Sequence, residues 1–78
     1  MATKKESPSA VVSSAVPKAG TPYHYIRVSF QNPRFVVNDA VWHGWTSDKM
    51  RLVQRNVFLS RNDAIDVCNQ KNAELALL

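Results

Sequence analysis

The segment Tyr23-His24-Tyr25-Ile26-Arg27-Val28-Ser29-Phe30 is the clearest secondary-structure signal in the sequence. Aromatic and β-branched residues dominate it, which is typical of a β-strand. Successive side chains of a strand point to opposite faces. One face should therefore carry His24, Ile26, Val28 and Phe30, and we expect these side chains to lie in the core. The alternate residues, Tyr23 among them, are expected to face solvent or a partner.

Three shorter segments follow this strand. Residues 31–34 predict a turn, because Pro33 suits the first central position of a turn and Asn32 precedes it. Residues 35–37 then predict a short strand that ends before Asn38 and Asp39. The aromatic segment 41–45 predicts either a third strand or a loop.

The next segment is expected to continue the sheet. Residues 46–49 are polar and predict a turn. Residues 50–59 predict a longer strand, but neither of its faces is cleanly apolar. A bulge near residues 54–56 would account for this pattern and would leave 57–59 buried.

The C-terminal segment predicts a helix. Ser60 and Asp63 have the spacing of a capping box, and carboxylates suit the first turns of a helix. Apolar residues then recur at steps of three and four and form one stripe: Ala64, Val67, Cys68, Leu75 and Leu78. The expected fold is α+β, a three- or four-stranded antiparallel sheet with one C-terminal helix packed on a face.

Residues 1–22 differ in composition from the rest of the chain. They hold three of the four prolines and no aromatic residue, so they cannot bury enough apolar area to offset the entropy of ordering. We expect a flexible N-terminal tail, either solvated or ordered by a partner, before a single domain over residues 23–78. Ser13 and Ser14 interrupt the only apolar run that could serve as a secretory signal, and a transit peptide would be expected to contain arginine. No segment approaches the ~20 apolar residues of a membrane span, so we expect a cytoplasmic protein without a membrane partner.

The sequence offers little for catalysis or metal binding. A single cysteine excludes an intramolecular disulfide. The soft metal ligands His24, His43 and Cys68 lie in three different elements, so no metal site is predicted. Capping, turns and solvation explain the acidic residues of the folded part, and no glycine-rich phosphate loop is present. We therefore expect a protein that is not an enzyme and that carries no cofactor and no catalytic residue.

Positive charge is concentrated in the middle of the chain. Ten Lys and Arg against six Asp and Glu give a net charge of +4. Residues 1–22 contribute +2 (three basic, one acidic), residues 23–61 contribute +4 (six basic, two acidic), and residues 62–78 contribute −2 (one basic, three acidic). An acidic partner surface would therefore meet the middle segment.

The candidate partner-binding residues are aromatic and basic. They are Tyr23, Tyr25, Arg27, Arg34, Trp42, Trp45, Arg51 and Arg55. In an extended strand Trp42 and Trp45 would point to opposite faces, and a single covered face can shelter only one of them. A turn at Gly44 could bring both rings inward. The arginines could equally be ordinary solubilising charge on an outer sheet face.

Two functions fit these features. The first is a small non-enzymatic protein, expected to be a monomer, that binds and modulates, most simply by inhibition, a larger protein with an acidic surface. Bacteriophage regulators of host transcription machinery, such as those that act on RNA polymerase, have this general size and shape, although no motif here identifies a family. The second is a nucleic-acid-binding accessory protein, because arginine and aromatic side chains also suit phosphates and bases.

Overall fold

The computed structural model describes residues 15–78 and shows an α+β fold of two strands and two helices. In chain order the elements are β1 (Pro22–Ser29), β2 (Arg34–Val41), α1 (Thr46–Val53) and α2 (Arg61–Ala76). Residues 1–14 of the predicted tail lie outside the described residues. No helix of the described region is both long and apolar enough to cross a membrane.

The two strands form an antiparallel hairpin. Their register runs from the pair Pro22–Val41 to the pair Ser29–Arg34, and the turn between them contains Pro33 as predicted. β2 is longer than the predicted 35–37, since the polar residues expected to end it continue the pairing. Asp39, for example, lies opposite His24, and its Oδ1 is 2.7 Å from His24 Nδ1. Cross-strand polar contacts at the surface thus lengthen the strand.

The prediction for residues 46–59 was wrong. A turn followed by a strand was expected, but residues 46–53 form helix α1. Asp48 at the third helical position accepts the backbone N–H of Trp45, and Arg51 in the last turn suits the helix dipole. Beyond α1 only Phe58 pairs with the sheet, through two backbone hydrogen bonds to His24 of 2.8 and 2.9 Å. The sheet therefore has two strands instead of three or four, and the described region has two helices instead of one.

Helix α2 covers one face of the hairpin, as predicted. Its buried residues Ala64 and Cys68 pack with Ile26 and Phe58, and three half-buried side chains complete this cluster: Phe35, Val37 and Val67. The helix begins at Ser60, whose Oγ accepts from the Asp63 N–H at 3.5 Å. Leu75 and Leu78 of the predicted stripe are exposed, because the last hydrogen bonds from α2 to β2 are made one turn earlier by Asn72.

The opposite face of the hairpin is also covered at one end, which corrects two expectations. Tyr23 was expected to face outward, but it is buried with Trp42 and Val57, and Leu52 of α1 packs against them. Val28 and Phe30 were expected in the core, but they are 42% and 87% exposed. Phe30 lies in the turn beyond Ser29, and Val28 lies at the same end of the hairpin. The unexpected helix α1 thus gives the sheet a second covered face, and the turn end of the hairpin projects past the core.

The folded part begins before Tyr23. The N–H of Gly20 donates to the carbonyl of Trp42 at 2.8 Å, and the N–H of Trp42 donates to the carbonyl of Thr21 at 2.8 Å. Gly20 has a φ of +90°, a conformation that glycine adopts without steric strain. These bonds attach residues 20–22 to the end of β2.

Candidate interaction surface along the β1 edge

The edge of β1 that faces away from β2 is only partly paired. The backbone of His24 is hydrogen-bonded to the backbone of Phe58. Ile26 is the next residue whose backbone groups face this edge, and there the side chain of Asn56 makes the hydrogen bonds that a neighbouring strand would make. Asn56 Oδ1 accepts from the Ile26 N–H, and Asn56 Nδ2 donates to the Ile26 carbonyl, both at 2.8 Å. By the period of two, Val28 is the next residue whose backbone faces this edge. In the described region its N–H has no partner, and its carbonyl accepts only from Arg27 Nη1, at 3.1 Å.

Arg55 marks the point at which the chain leaves this edge. Its φ is +58°, and in the described region it is the one residue other than glycine with a positive φ. The left-handed conformation costs a residue with a Cβ about 1–2 kcal/mol. The Arg55 side chain is exposed and donates no hydrogen bond within residues 15–78. Strain of this kind concentrates at functional sites, which makes the surroundings of Arg55 a candidate site.

A groove of about 210 Å³ lies along the open part of the β1 edge. We call it the β1 groove; its lining residues are Ile26, Arg27, Val28, Phe35, Gln54, Arg55, Asn56, Phe58, Val67 and Lys71. Three of these side chains are cationic, and none is a carboxylate. The ammonium of Lys71 also lies 5.6 Å from the centre of the Phe35 ring. The groove thus combines positive charge, apolar walls and an open strand edge.

A second groove of about 220 Å³ lies along the outer edge of β2. This β2 groove carries the cations Arg34 and Arg61. Its strand edge is closed at Phe35, because Asn72 Oδ1 accepts from the Phe35 N–H at 2.8 Å and Asn72 Nδ2 donates to the Phe35 carbonyl at 3.0 Å. The β2 groove has two cations against the three of the β1 groove, and its strand edge is closed, so it is a matched control for the β1 groove.

None of the five groove cations has a carboxylate partner in the described part of the chain. Only two pairs of a basic and an acidic side chain lie within 4.0 Å there: His24 with Asp39, and Arg51 with Asp48. Arg27, Arg34, Arg55, Arg61 and Lys71 therefore present uncompensated charge around the hairpin. Arginine binds carboxylates through a planar fork of donors, so such a surface suits an acidic ligand.

Tyr23, Arg51 and the 2% exposed Asp48 form a buried network that fastens α1 to the sheet. Tyr23 Oη donates to Asp48 Oδ1 at 2.5 Å, and Arg51 Nη1 donates to Tyr23 Oη at 2.8 Å. Asp48 Oδ2 accepts from the backbone N–H groups of His43 and Trp45 at 2.9 and 3.1 Å. Every polar atom of the carboxylate thus has a partner, as a buried charge requires.

Hydrogen bonding and burial shift the pKa values of Asp48 and Tyr23 in opposite directions. The pKa of Asp48 is lowered, chiefly by the hydrogen bond from Tyr23, with the N–H groups of His43 and Trp45 adding to the effect. The pKa of Tyr23 is raised, chiefly by burial and then by its bond to Asp48. At neutral pH the network therefore holds a carboxylate and a neutral phenol.

The predicted site residues separate into structural and exposed groups. Trp42 is 3% exposed and belongs to the core with Tyr23, whereas Trp45 is 65% exposed and stacks on His43 with ring centres 4.4 Å apart. The guanidinium of Arg51 lies 3.8 Å from the centre of the half-buried Tyr25 ring. The structure brings Arg27 and Arg55 together in the β1 groove and places Arg34 in the β2 groove.

Two residues of the β1 groove were not predicted from the sequence. Lys71 interrupts the apolar stripe of α2, and a cation beside a packed helix face was the available signal for it. Asn56 carried no signal, because its role depends on a strand edge that only the tertiary structure brings to it.

The described residues show no arrangement of side chains suited to metal binding or to thiol chemistry. Among residues 15–78 no three His, Cys, Asp or Glu side chains are grouped so that they could hold a metal ion. Burial raises the pKa of the Cys68 thiol, whose Sγ donates to the Phe35 carbonyl at 3.2 Å. Cys68 therefore serves as a packing residue in this fold.

The comparisons with known proteins give no family for this chain. No protein-family model matches the sequence, no curated protein is significantly similar to it, and no solved structure significantly matches its fold.

Arg55→Gly is expected to stabilise the fold by about 0.5–1 kcal/mol, because glycine adopts the left-handed conformation without a Cβ clash. The greater entropy of glycine in the unfolded chain offsets part of the gain. Urea unfolding of both proteins measures the difference. A loss of stability would mean that the Arg55 side chain supports the fold, and it would remove the reason for assigning that side chain to a partner.

Proposed function

We propose that this chain is a non-enzymatic protein that binds an acidic surface of a larger protein and modulates it, with inhibition as the expected effect. The observation that carries the proposal is the group of five cations around the hairpin that have no carboxylate partner in the described residues. Positive charge of this kind speeds encounter with an acidic surface and orients the complex.

Exposed apolar side chains on α1 favour a protein over a nucleic acid as the partner. Trp45, Met50 and Val53 are all exposed, and Val53 is 83% exposed. Met50 and Val53 line a shallow, mainly apolar depression on the outer side of the helix. Aliphatic side chains have little to bind on a phosphate backbone, whereas an apolar patch beside charge is typical of protein interfaces.

A nucleic-acid-binding accessory protein is the second candidate. The exposed ring pair of His43 and Trp45 supports it, because such rings can stack on bases beside arginines that bind phosphates.

RNA polymerase is the first protein partner to test, by analogy of size and charge with bacteriophage regulators of transcription.

Two matched double variants test the proposal. Arg27→Glu/Arg55→Glu alters the β1 groove, and Arg34→Glu/Arg61→Glu alters the β2 groove; each lowers the net charge by four, from +4 to 0. The tagged proteins are used to capture their partner from native lysate, and the captured protein is identified and quantified. We expect the first variant to lose roughly tenfold or more in capture, and the second to lose less than about threefold.

Circular dichroism and urea unfolding control for loss of structure, since all four arginines are exposed. Equal loss in the two variants would show that net charge alone determines capture. Unchanged capture in both would show that the groove arginines do not bind the partner. Either result would contradict the assignment of the β1 groove.

A further inference from the structure

We infer that an extended acidic segment of the partner adds to β1 as a third strand at Val28, with its carboxylates on Arg27, Arg55 and Lys71. The inference rests on the proposed function and specifies how the β1 groove would bind. Strand addition is a common mode of peptide recognition, in which backbone hydrogen bonds supply affinity and side-chain contacts supply specificity.

The backbone of the β1 edge supports this mode of binding. The ladder begins with His24 and Phe58, two backbones paired antiparallel. The partner two residues further along β1 is a side chain, that of Asn56 at Ile26. The chain then turns away from the edge at Arg55, which has a left-handed backbone conformation. The position opposite Val28 is therefore part of the groove. A strand entering there would continue a ladder that the protein itself has started.

The hydrogen bond between Arg27 and Val28 fits such an exchange. Arg27 Nη1 now donates to the Val28 carbonyl, which is the acceptor that an added strand would use. A backbone N–H from the added strand can replace this donor and release the guanidinium to a carboxylate. Alternate side chains of a strand lie about 6.6–6.8 Å apart on one face, so acidic residues at every second position would form a row of carboxylates along the groove.

The groove cations also favour an acidic strand over the β1 strand of a second copy of this chain as the strand added at this edge. Open strand edges invite pairing between identical molecules, and charged residues on the edge oppose it. Two β1 edges brought together would oppose Arg27 and Arg55 of one copy to the same residues of the other. This like-charge repulsion is absent for a neutral strand and becomes attraction when the added strand carries negative charge.

The test uses the full chain and a blocked seven-residue peptide of alternating Glu and Val, with a Lys and Val peptide as the charge control. Two further peptides carry N-methyl groups, one on all the Glu amides and one on all the Val amides. Backbone amides of a strand alternate between its two edges, so one methylated set blocks pairing to β1 and the other points away. Binding is measured by NMR titration, with hydrogen exchange of the Val28 amide as the local signal.

We expect the Glu and Val peptide to bind and to slow exchange at Val28, and one methylated peptide to bind about tenfold more weakly than the other. Arg27→Glu/Arg55→Glu should abolish this binding, and Arg34→Glu/Arg61→Glu should retain it. Equal affinity of the two methylated peptides, unchanged exchange at Val28, or equal binding of the Lys and Val peptide would each overturn strand addition.

The outcomes separate this inference from the proposed function. Partner capture that depends on Arg27 and Arg55, combined with no effect of the peptide on Val28, would leave the function standing and remove strand addition. Capture that is insensitive to both arginines would remove the proposed function itself. A nucleic acid as the captured species would remove both.

Discussion

Asp48→Ala is expected to destabilise the protein by about 3–5 kcal/mol. The substitution leaves the N–H groups of His43 and Trp45 and the hydroxyl of Tyr23 without their acceptor. It also leaves Arg51 beside a cavity where its counter-charge stood. Small domains have only roughly 0.05–0.15 kcal/mol of stability per residue, so this loss removes a large share of the total free energy of unfolding.

Circular dichroism and urea unfolding measure this effect. Asp48→Asn keeps one carbonyl acceptor and should lose about 1–3 kcal/mol, which keeps the prediction testable if the alanine variant does not fold. Asp66→Asn, an exposed position on α2, is the matched control and should change stability by less than about 0.5 kcal/mol. Similar small losses for both residues would show that the network does not hold α1.

The same network predicts how stability depends on pH. The folded protein lowers the pKa of Asp48 below its ordinary value of 3.8, so protons bind more readily to the unfolded chain. The stabilisation is fully present above the unfolded pKa and is lost as the pH falls through the folded pKa. The urea midpoint should therefore fall less between neutral and strongly acidic pH in Asp48→Asn than in the natural sequence. An equal fall in both would contradict this account.

Trp42→Ala is expected to lose about 3–5 kcal/mol, because the ring is 3% exposed and packs in the core with Tyr23 and Val57. Its ring meets that of Tyr23 edge to face, with centroids 6.0 Å apart. Trp45 provides the comparison within the same loop. It is 65% exposed, so Trp45→Ala should change stability by less than about 0.5 kcal/mol.

Thermal and urea unfolding of the two variants measure this contrast, and tryptophan fluorescence reports each ring separately. The single tryptophan left in Trp45→Ala should be shielded from a soluble quencher, and the one left in Trp42→Ala should be accessible. Equal destabilisation by the two changes would mean that Trp45 also supports the core, and it would weaken its assignment to a partner.

Local sequence patterns were sufficient for β1, for the turn that follows it and for α2. The alternating residues of β1, the turn at Pro33 and the capped stripe of α2 each act within a few neighbouring residues. α1 could not be predicted in the same way, because its residues 50–53 belong to a segment that predicts a strand, and its start depends on a carboxylate buried against Tyr23, 25 positions away. Long-range burial decided between two local conformations.

The candidate site was only partly predictable for the same reason. The positive charges of Arg27 and Arg55 predict binding to an acidic partner, and the fold brings both residues to one groove. The aromatic rings of Tyr23 and Trp42 also predict partner binding, but a second helix covers the face that carries them. Composition identifies residues that can bind, whereas only tertiary contacts show which of them remain free to do so.

Capture with and without nuclease tests the central claim most directly. The tagged full chain is mixed with native lysate, one half is treated with DNase and RNase, and the bound material is compared at low and moderate salt. We predict that one larger protein remains bound after nuclease treatment and that Arg27→Glu/Arg55→Glu releases it. Binding that disappears with nuclease, and that falls steeply with salt, would contradict the claim and identify a nucleic acid as the ligand.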